Sequence, residues 1–232
     1  MTVGLTQADK KYWAPIPEVL NWLKGRLNPG DKVLVVGPGR SPLQWATEAV
    51  DFLEWPGVPC KLTKCDVSRE RMPFEDKSFD FVYCRHLLED SWNPFAVCAE
   101  MSRVGKAGYI EMPSPIAEVC RGVDGASSPP YRGYHHHSFI GWTFGAELRF
   151  ISKYPFIEYL KFDESGVAER LRPSPKYWNT YYLWEGEIRT THKICPQDFD
   201  ITTQYGVVLN EAMECSKQST DAFFSQSGLT GK

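Results

Sequence analysis

The stretch "FDFVYCRHLLEDSWNPFAVCAEMSRVGKAGYIEM", residues 79–112, decides the fold. Its first six residues, "FDFVYC", are mostly aromatic or β-branched, which favours a buried strand. "NPFAVCAEMSRV" then places Pro94 in a first turn and gathers apolar residues on one face, which predicts a helix. "GKAGYIEM" predicts a second strand after a glycine stop. Strand, helix and strand in this order predict two parallel strands of one sheet.

The same alternation extends toward the N-terminus. "PIPEVLNWLKGRLNPGD", residues 15–31, predicts a helix, and "KVLVVG", residues 32–37, predicts a short buried strand. "CKLTKCDV", residues 60–67, predicts another strand. "ATEAVDFLEW", residues 46–55, has an ambiguous period and fits either a helix or a strand that ends near Asp51. From about residue 16 to 115 the pattern therefore predicts a parallel, doubly wound sheet.

Ligands of such sheets bind beyond the carboxyl ends of the strands. The predicted ends are Gly37, Asp51, Asp66, Cys84 and Met112. The first of them opens "GPG", residues 37–39, whose glycines allow a backbone to approach a ligand closely. Gly-x-Gly alone is a weak signal, because it also suits a tight turn after a buried strand.

Residues 65–115 resemble a class I S-adenosylmethionine-dependent methyltransferase of the methyltransferase-11-like branch. The resemblance rests on Asp66 at the end of a third strand, followed by "MPFEDKSFDFVYC", "HLLEDSWNP" and "EMSRVGKAGY" in that order. It covers roughly residues 31–115. It implies a Rossmann-like α/β fold with a seven-stranded, mostly parallel sheet, to which the remaining chain adds a β-rich C-terminal extension.

We expect two parts in one packed body. Residues 1–165 would hold the methyltransferase domain with its N-terminal helix, and residues 166–232 the extension. "SFIGWTF" and "AELRFIS" predict a hairpin around Gly145, and "YWNTYYLWEGEIRTTHKI" a second one that turns at Glu185-Gly186. The segment 205–222 predicts a tail helix.

The resemblance implies S-adenosylmethionine as cofactor, with S-adenosylhomocysteine as product. Asp51 would bind the ribose hydroxyls, with Glu48 and Glu54 as alternatives, because one carboxylate accepts two hydrogen bonds. "RSPLQW", residues 40–45, would then be a shortened helix. Asp66 would face the adenine amino group. The residues expected at the cofactor are Gly37, Pro38, Gly39, Asp51, Phe52, Cys65, Asp66, Val67, Cys84 and Arg85.

Three positions depart from the family pattern. Val35 stands where the family has an acid two residues before the first glycine, and Ser41 stands where it has a third glycine. Asp90 replaces a second histidine. The first two changes affect the end of the site that would hold the methionine part of the cofactor.

Histidines supply the candidate catalytic groups. His86 follows the strand "FDFVYC" by two residues, and imidazole titrates near neutrality, so it can act as a general base. His135 and His136 are further candidates, although a polar loop with satisfied imidazoles is the alternative. In an extended segment His135 and His137 would share one face. A divalent metal there is not favoured, and no metal ligand is predicted.

The segment "PPYRGYHHHSFIGW", residues 129–142, combines aromatic faces with polar donors, which suits a carbohydrate or another polar small molecule. The alternative is that its aromatics fill a local core. The expected substrate contacts are Arg132, Tyr134, His137 and Trp142.

Composition limits the partners. The net charge of −3 gives no bulk attraction to nucleic acid, and no apolar run reaches the ~18–20 residues of a membrane span. Seven cysteines without a Cys-x-x-Cys pair, and an N-terminus unlike a signal peptide, lead us to expect a cytoplasmic protein. A homodimer is left open.

These observations predict S-adenosylmethionine-dependent methylation of an oxygen on a sugar, a glycan or a similar polar acceptor. The alternatives are methylation of a nitrogen or carboxyl group of another metabolite, and a non-catalytic binding module that kept the fold. A metal-dependent hydrolase built on the histidines is a further alternative.

Overall fold

The structure, a computed structural model, describes residues 14–40, 42–124, 130–195 and 200–231. Its helices are α1 (Pro17–Lys24), α2 (Pro94–Val104), α3 (Pro115–Val119), α4 (Glu164–Leu171) and α5 (Ile201–Ser227). Its strands are β1 (Val33–Val36), β2 (Glu48–Asp51), β3 (Lys61–Lys64), β4 (Phe79–Arg85), β5 (Gly105–Pro113), β6 (Phe139–Phe144), β7 (Glu147–Ser152), β8 (Asn179–Glu185) and β9 (Arg189–His192).

The main sheet has six strands in the order β3-β2-β1-β4-β5-β8. The first five are parallel, and β8 pairs antiparallel with β5 from Ala107↔Glu185 to Pro113↔Asn179. The Rossmann-like α/β fold is thus confirmed, whereas the expected count of seven strands is one too high. The described residues between α3 and β8 add no strand to this sheet, because β6 and β7 form a hairpin in a separate sheet with β9.

The second predicted hairpin is wrong. β8 and β9 turn near Glu185-Gly186 but pair with different partners, and β9 runs parallel to β7 in the three-stranded sheet. β8 is buried from Asn179 to Tyr182 and again at Trp184, since it lies between β6 and α5. A strand that is apolar on both faces suits the main sheet better than an isolated hairpin.

Side chains of alternate strand positions form two cores on the two faces of the main sheet. On one face, Val33 and Val35 pack with Leu23 of α1 and Phe224 of α5. On the other face, the core combines α2 with the second sheet and includes Leu34, Val36, Val82, Cys84, Val97, Met101, Leu148 and Phe150. A third core joins α3, α4 and α5 to β6.

The helix ends follow from local sequence. Asn93 precedes α2 and its side chain accepts a hydrogen bond from Ala96 N, while Pro94 occupies the first turn. The tail helix α5 is longer than predicted, and Gly228 ends it in the left-handed conformation with φ 70°. None of the helices in the described part of the chain is both long and apolar enough to cross a membrane.

The connection between β1 and β2 differs from expectation. Ser41 lies outside the described residues, and the described residues of the connection contain a turn at Gln44–Trp45 but no helix. The shortened helix predicted for "RSPLQW" is therefore wrong. The buried Leu43 packs into the core beside α1 in place of a helix.

Candidate functional site

The carboxyl ends of β3, β2, β1 and β4 lie side by side along one edge of the main sheet. The sheet order places Asp66, Asp51, Gly37 and His86 in this sequence along the edge. A groove of about 360 Å³ opens between the ends of β1 and β4. Its lining residues are Val35, Gly37, Pro38, Gly39, Arg40, Leu43, Tyr83, Arg85 and His86.

The glycine loop presents bare backbone to this groove. Gly37 and Gly39 have φ values of 71° and 52°, which side-chain-bearing residues rarely adopt. A Cβ on Gly37 would lie 3.1 Å from the Leu87 side chain, whereas one on Gly39 would meet no atom within 4 Å. Gly39 therefore leaves open space in which a ligand can approach the backbone.

Asp51 ends β2 at the same edge. Its Oδ1 accepts a hydrogen bond from Leu53 N at 2.8 Å, and its Oδ2 accepts one from Trp55 Nε1 at 2.9 Å. These bonds orient the carboxylate and leave each oxygen a second lone pair. Phe52 follows and is 59% exposed. Of the alternative acids, Glu48 begins β2 at its opposite end and Glu54 is exposed in the loop beyond it.

Asp66 follows β3 at the next strand end. Its Oδ1 accepts a hydrogen bond from Ser68 N at 3.1 Å, and Arg69 Nε lies 3.7 Å from Oδ2. Cys65 and Val67 on either side are buried. Burial, and next the negative charge of Glu70, raises the pKa of the Cys65 thiol to about 11. The thiol therefore stays protonated and uncharged at neutral pH.

β4 contributes Arg85 but not Cys84. Cys84 is fully buried in the core on the opposite face of the sheet, which corrects its expected place at the cofactor. Because strand side chains alternate, its neighbours Tyr83 and Arg85 line the groove instead. Arg85 Nε donates to Glu111 Oε1 at 2.9 Å, and Tyr109 Oη donates to Glu111 Oε2 at 2.6 Å.

His86 lies on the groove in a left-handed conformation with φ 51°. Its Nε2 is 3.1 Å from Asn179 Oδ1, and its Nδ1 is 3.4 Å from Glu89 Oε1. Burial, with the charge of Arg85 next in size, holds the pKa of the imidazole well below its usual range. The ring is therefore neutral at neutral pH, and both nitrogens face protein atoms.

Behind His86 lies a buried polar cluster that sequence reasoning missed in part. Glu118, on α3, contacts His137 Nδ1 through Oε1 at 2.6 Å and accepts from Lys153 Nζ through Oε2 at 2.5 Å. Lys153 Nζ also donates to Tyr134 O at 2.5 Å. Glu118 thus pairs with both His137 and Lys153, which a carboxylate buried this deeply requires.

Glu89 completes the cluster. It is 2% exposed, and neither carboxylate oxygen has a hydrogen-bond partner among the described residues. Burial raises the pKa of Glu89 to about 8, with His137 opposing. Glu89 lies in "HLLED", a segment already singled out, so its position was available from the sequence. Its burial was not, because that depends on residues far along the chain.

The three consecutive histidines point in different directions. His137 is buried against Glu118, whereas His135 and His136 have side chains 65% and 50% exposed. The expectation that His135 and His137 share a face is therefore wrong, because this segment is a turn and not an extended strand. His135 Nδ1 lies 3.2 Å from Asp124 Oδ2.

The structure corrects three expected substrate contacts. Arg132 is 1% exposed, pairs with Glu164 and donates to two backbone carbonyls, those of Val119 and Leu160. Tyr134 is buried and stacks on His137, and Trp142 is buried in β6. Tyr134 and Trp142 fill the core between α3, β6 and α5, which was the alternative considered from the sequence.

Residues 19–110 match the family model of a methyltransferase domain, Methyltransf_11. This part of the chain is therefore similar to methyltransferase domains, and the resemblance inferred from its motifs is confirmed. No curated protein matches the chain in sequence.

Solved structures give fainter likenesses. The YcgJ protein of Bacillus subtilis is 18% identical with a TM-score of 0.35, over 42% of this chain and 50% of its own. An S-adenosylmethionine-dependent methyltransferase of Aquifex aeolicus is 17% identical with a TM-score of 0.34, over 43% and 65%. One of Methanosarcina mazei is 18% identical with a TM-score of 0.35, over 44% and 59%. The chain thus spans half to two thirds of their lengths.

Proposed function

We propose, from the methyltransferase domain at residues 19–110, that the protein transfers a methyl group from S-adenosylmethionine to an oxygen of a small polar acceptor. A hydroxyl of a sugar or glycan is the acceptor we favour. One observation carries the proposal: the glycine loop, Asp51 and Asp66 occupy successive strand ends along one edge of the sheet. Cofactors bind doubly wound sheets at such an edge.

The residues present fit the adenosine part of this cofactor. The Asp51 carboxylate is held in place and has lone pairs for two ribose hydroxyls. The exposed Phe52 ring offers an aromatic face for the adenine base, and Asp66 can accept a hydrogen bond from its amino group.

The methionine end has a different lining. Val35 offers no acid for an amino group, but Arg40 lies on the groove beside the glycine loop. A guanidinium can pair with the carboxylate of the cofactor. Arg40 and the open backbone at Gly39 thus offer one cationic side chain and backbone hydrogen-bond donors to the methionine part of the cofactor.

S-adenosylmethionine supplies an electrophilic methyl group on a sulfonium. In the transfer, the S–CH₃ bond breaks with its electron pair left on sulfur, an O–CH₃ bond forms and the hydroxyl proton leaves. His86 is neutral on the groove and can take that proton once its contact with Glu89 is exchanged for the acceptor. The chain's main contribution is to position the two reactants.

A second candidate function, a non-catalytic binding module, is favoured by a specific observation. The described residues between β1 and β2 form no helix, and Val35 replaces an acid. A site with these changes could retain a nucleoside-like ligand without transferring a methyl group. It predicts ligand binding without turnover.

The test is a transfer assay with a methyl-labelled donor and a panel of sugars, polyols, amines and carboxylates, with products detected by mass. We expect O-methylated products from hydroxyl acceptors, and their loss in His86→Gln while donor binding persists. Products methylated only on nitrogen or on carboxyl groups would contradict the acceptor class. Donor binding with no product from any class would favour the binding module.

A further inference from the structure

The histidine segment is fixed against the loop that follows β4. Ser138 N and Phe139 N both donate to Glu89 O, at 2.8 Å and 3.2 Å. Asp90 is the next residue of that loop. The backbone therefore brings the two histidines that precede Ser138 next to the Asp90 carboxylate.

Two imidazoles face this carboxylate with the same ring atom. His136 Nε2 lies 3.8 Å from Asp90 Oδ1, and His137 Nε2 lies 3.9 Å from it. The ligand atoms of these three residues all lie within 4.8 Å of one another. Metal bonds of roughly 2.0–2.2 Å put neighbouring donors about 3–3.6 Å apart. The two carboxylate–imidazole distances would therefore have to shorten by a few tenths of an ångström, and the distance between the two imidazole nitrogens by at most roughly 1.5 Å.

Each imidazole also has a carboxylate on its other nitrogen. His137 Nδ1 is 2.6 Å from Glu118 Oε1, and His136 Nδ1 is 3.7 Å from Asp124 Oδ2. Metal-binding histidines are typically held this way, because the second bond fixes the tautomer and aims the free nitrogen at the ion. His137 and Glu118 are almost fully buried, so this pairing is not that of solvated surface groups.

A competing arrangement exists around Asp124. Asp124, His135 and His136 also bring three ligand atoms together. However, His135 is largely exposed, and its Nδ1 already faces Asp124. The set around Asp90 has a buried, oriented member and the set around Asp124 does not.

We propose that Asp90, His136 and His137 bind a divalent transition-metal ion. Two imidazoles and one carboxylate suit ions such as Zn²⁺ and Fe²⁺. Three protein ligands leave coordination positions for other molecules. Asp90 and His136 are half-exposed, so those positions open to solvent.

The role of the ion rests on the proposed function. Asp90 lies four residues after His86 in the same loop, so we place the ion near the acceptor whose proton His86 would take. Two neighbouring hydroxyls of a sugar could both coordinate the ion. Coordination would orient them and ease the loss of the proton from the one that is methylated.

The test uses the full chain without a histidine tag, stripped with a chelator and titrated with Zn²⁺, then with Co²⁺ as a spectroscopic probe. We expect one ion per chain and visible Co²⁺ bands. His136→Ala and Asp90→Asn should abolish both, and His135→Ala should leave them unchanged. Glu118→Gln should weaken affinity by roughly 10–100-fold.

Retained binding in His136→Ala and Asp90→Asn, loss in His135→Ala, or no binding to the folded wild-type chain would each overturn the proposal. The Asp90, His135 and His136 variants change exposed side chains, whereas Glu118→Gln changes a buried one, so thermal denaturation checks the folding of each variant. S-adenosylhomocysteine titration of the same samples separates this outcome from the proposed function. If the chain binds the metal but not S-adenosylhomocysteine, the metal site stands and its role in methyl transfer is contradicted. If the chain binds S-adenosylhomocysteine but no metal, only the metal site is contradicted.

Discussion

The two halves of the carboxyl edge of the main sheet are built in different ways. At the ends of β2 and β3, Asp51 and Asp66 are partly exposed, and each carboxylate is oriented by donors two to four residues further along its own loop. Beyond β4, His86 is held by Asn179, 93 residues away, and Glu118 pairs with a lysine 35 residues away. Local sequence therefore orients the side chains at the ends of β2 and β3, whereas tertiary packing orients those beyond β4.

The largest effect should come from breaking the packed half. In Glu118→Gln, Lys153 and His137 lose a buried anionic partner, and breaking such a pair costs about 3–5 kcal/mol. Urea denaturation should show this loss. The matched control is Glu187→Gln, whose ion pair with Arg189 is exposed on both sides and should cost less than ~1 kcal/mol. Equal effects would contradict the contrast.

A smaller effect is expected from a change at the ends of β2 and β3, and we expect it in ligand affinity and not in stability. Phe52→Ala should weaken S-adenosylhomocysteine binding about 5- to 150-fold, because stacking of a base on an aromatic ring contributes ~1–3 kcal/mol. The free energy of unfolding should change by less than ~0.5 kcal/mol. Tyr159→Ala, also exposed, should alter neither quantity. Unchanged affinity in Phe52→Ala would contradict the claim that the adenine base stacks on Phe52.

The smallest effect separates backbone strain from ligand contact. Gly39 and Gly145 have φ values of 52° and 57°, and a Cβ on either would meet no atom within 4 Å. Alanine at each should therefore cost about 1–2 kcal/mol of stability. Only Gly39→Ala should also weaken S-adenosylhomocysteine binding, measured by calorimetry. Equal affinities in the two variants would show that the glycine loop does not touch the ligand.

The same contrast explains what the sequence could predict. The residues just before Asp51 and Asp66 form β2 and β3, and Asp66 follows β3 by two residues. The parallel sheet was therefore predictable from local sequence, although the period of residues 46–55 fitted a helix as well as a strand. The difference from seven strands was not predictable, because β6 and β7 pair with each other and β7 also pairs with β9, which lies beyond the hairpin in the chain.

The site follows the same rule. Arg132 and Trp142 belong to a segment whose polar and aromatic composition suits a ligand, yet tertiary packing encloses both. Glu89 lies in a recognised segment, but its burial depends on the histidine segment folding over it. Composition indicated which residues carry chemistry, and only the fold decided which of them face the groove.

The most direct measurement is calorimetric titration of S-adenosylhomocysteine into the wild-type chain, Asp51→Ala and Glu54→Ala. The account predicts a Kd of about 1 μM, near −8 kcal/mol, in the wild type. It predicts the same affinity in Glu54→Ala, whose side chain is exposed three residues further on, and no measurable binding in Asp51→Ala. Absence of heat in the folded wild type, or equal affinity in Asp51→Ala, would contradict the claim that this edge is a cofactor site.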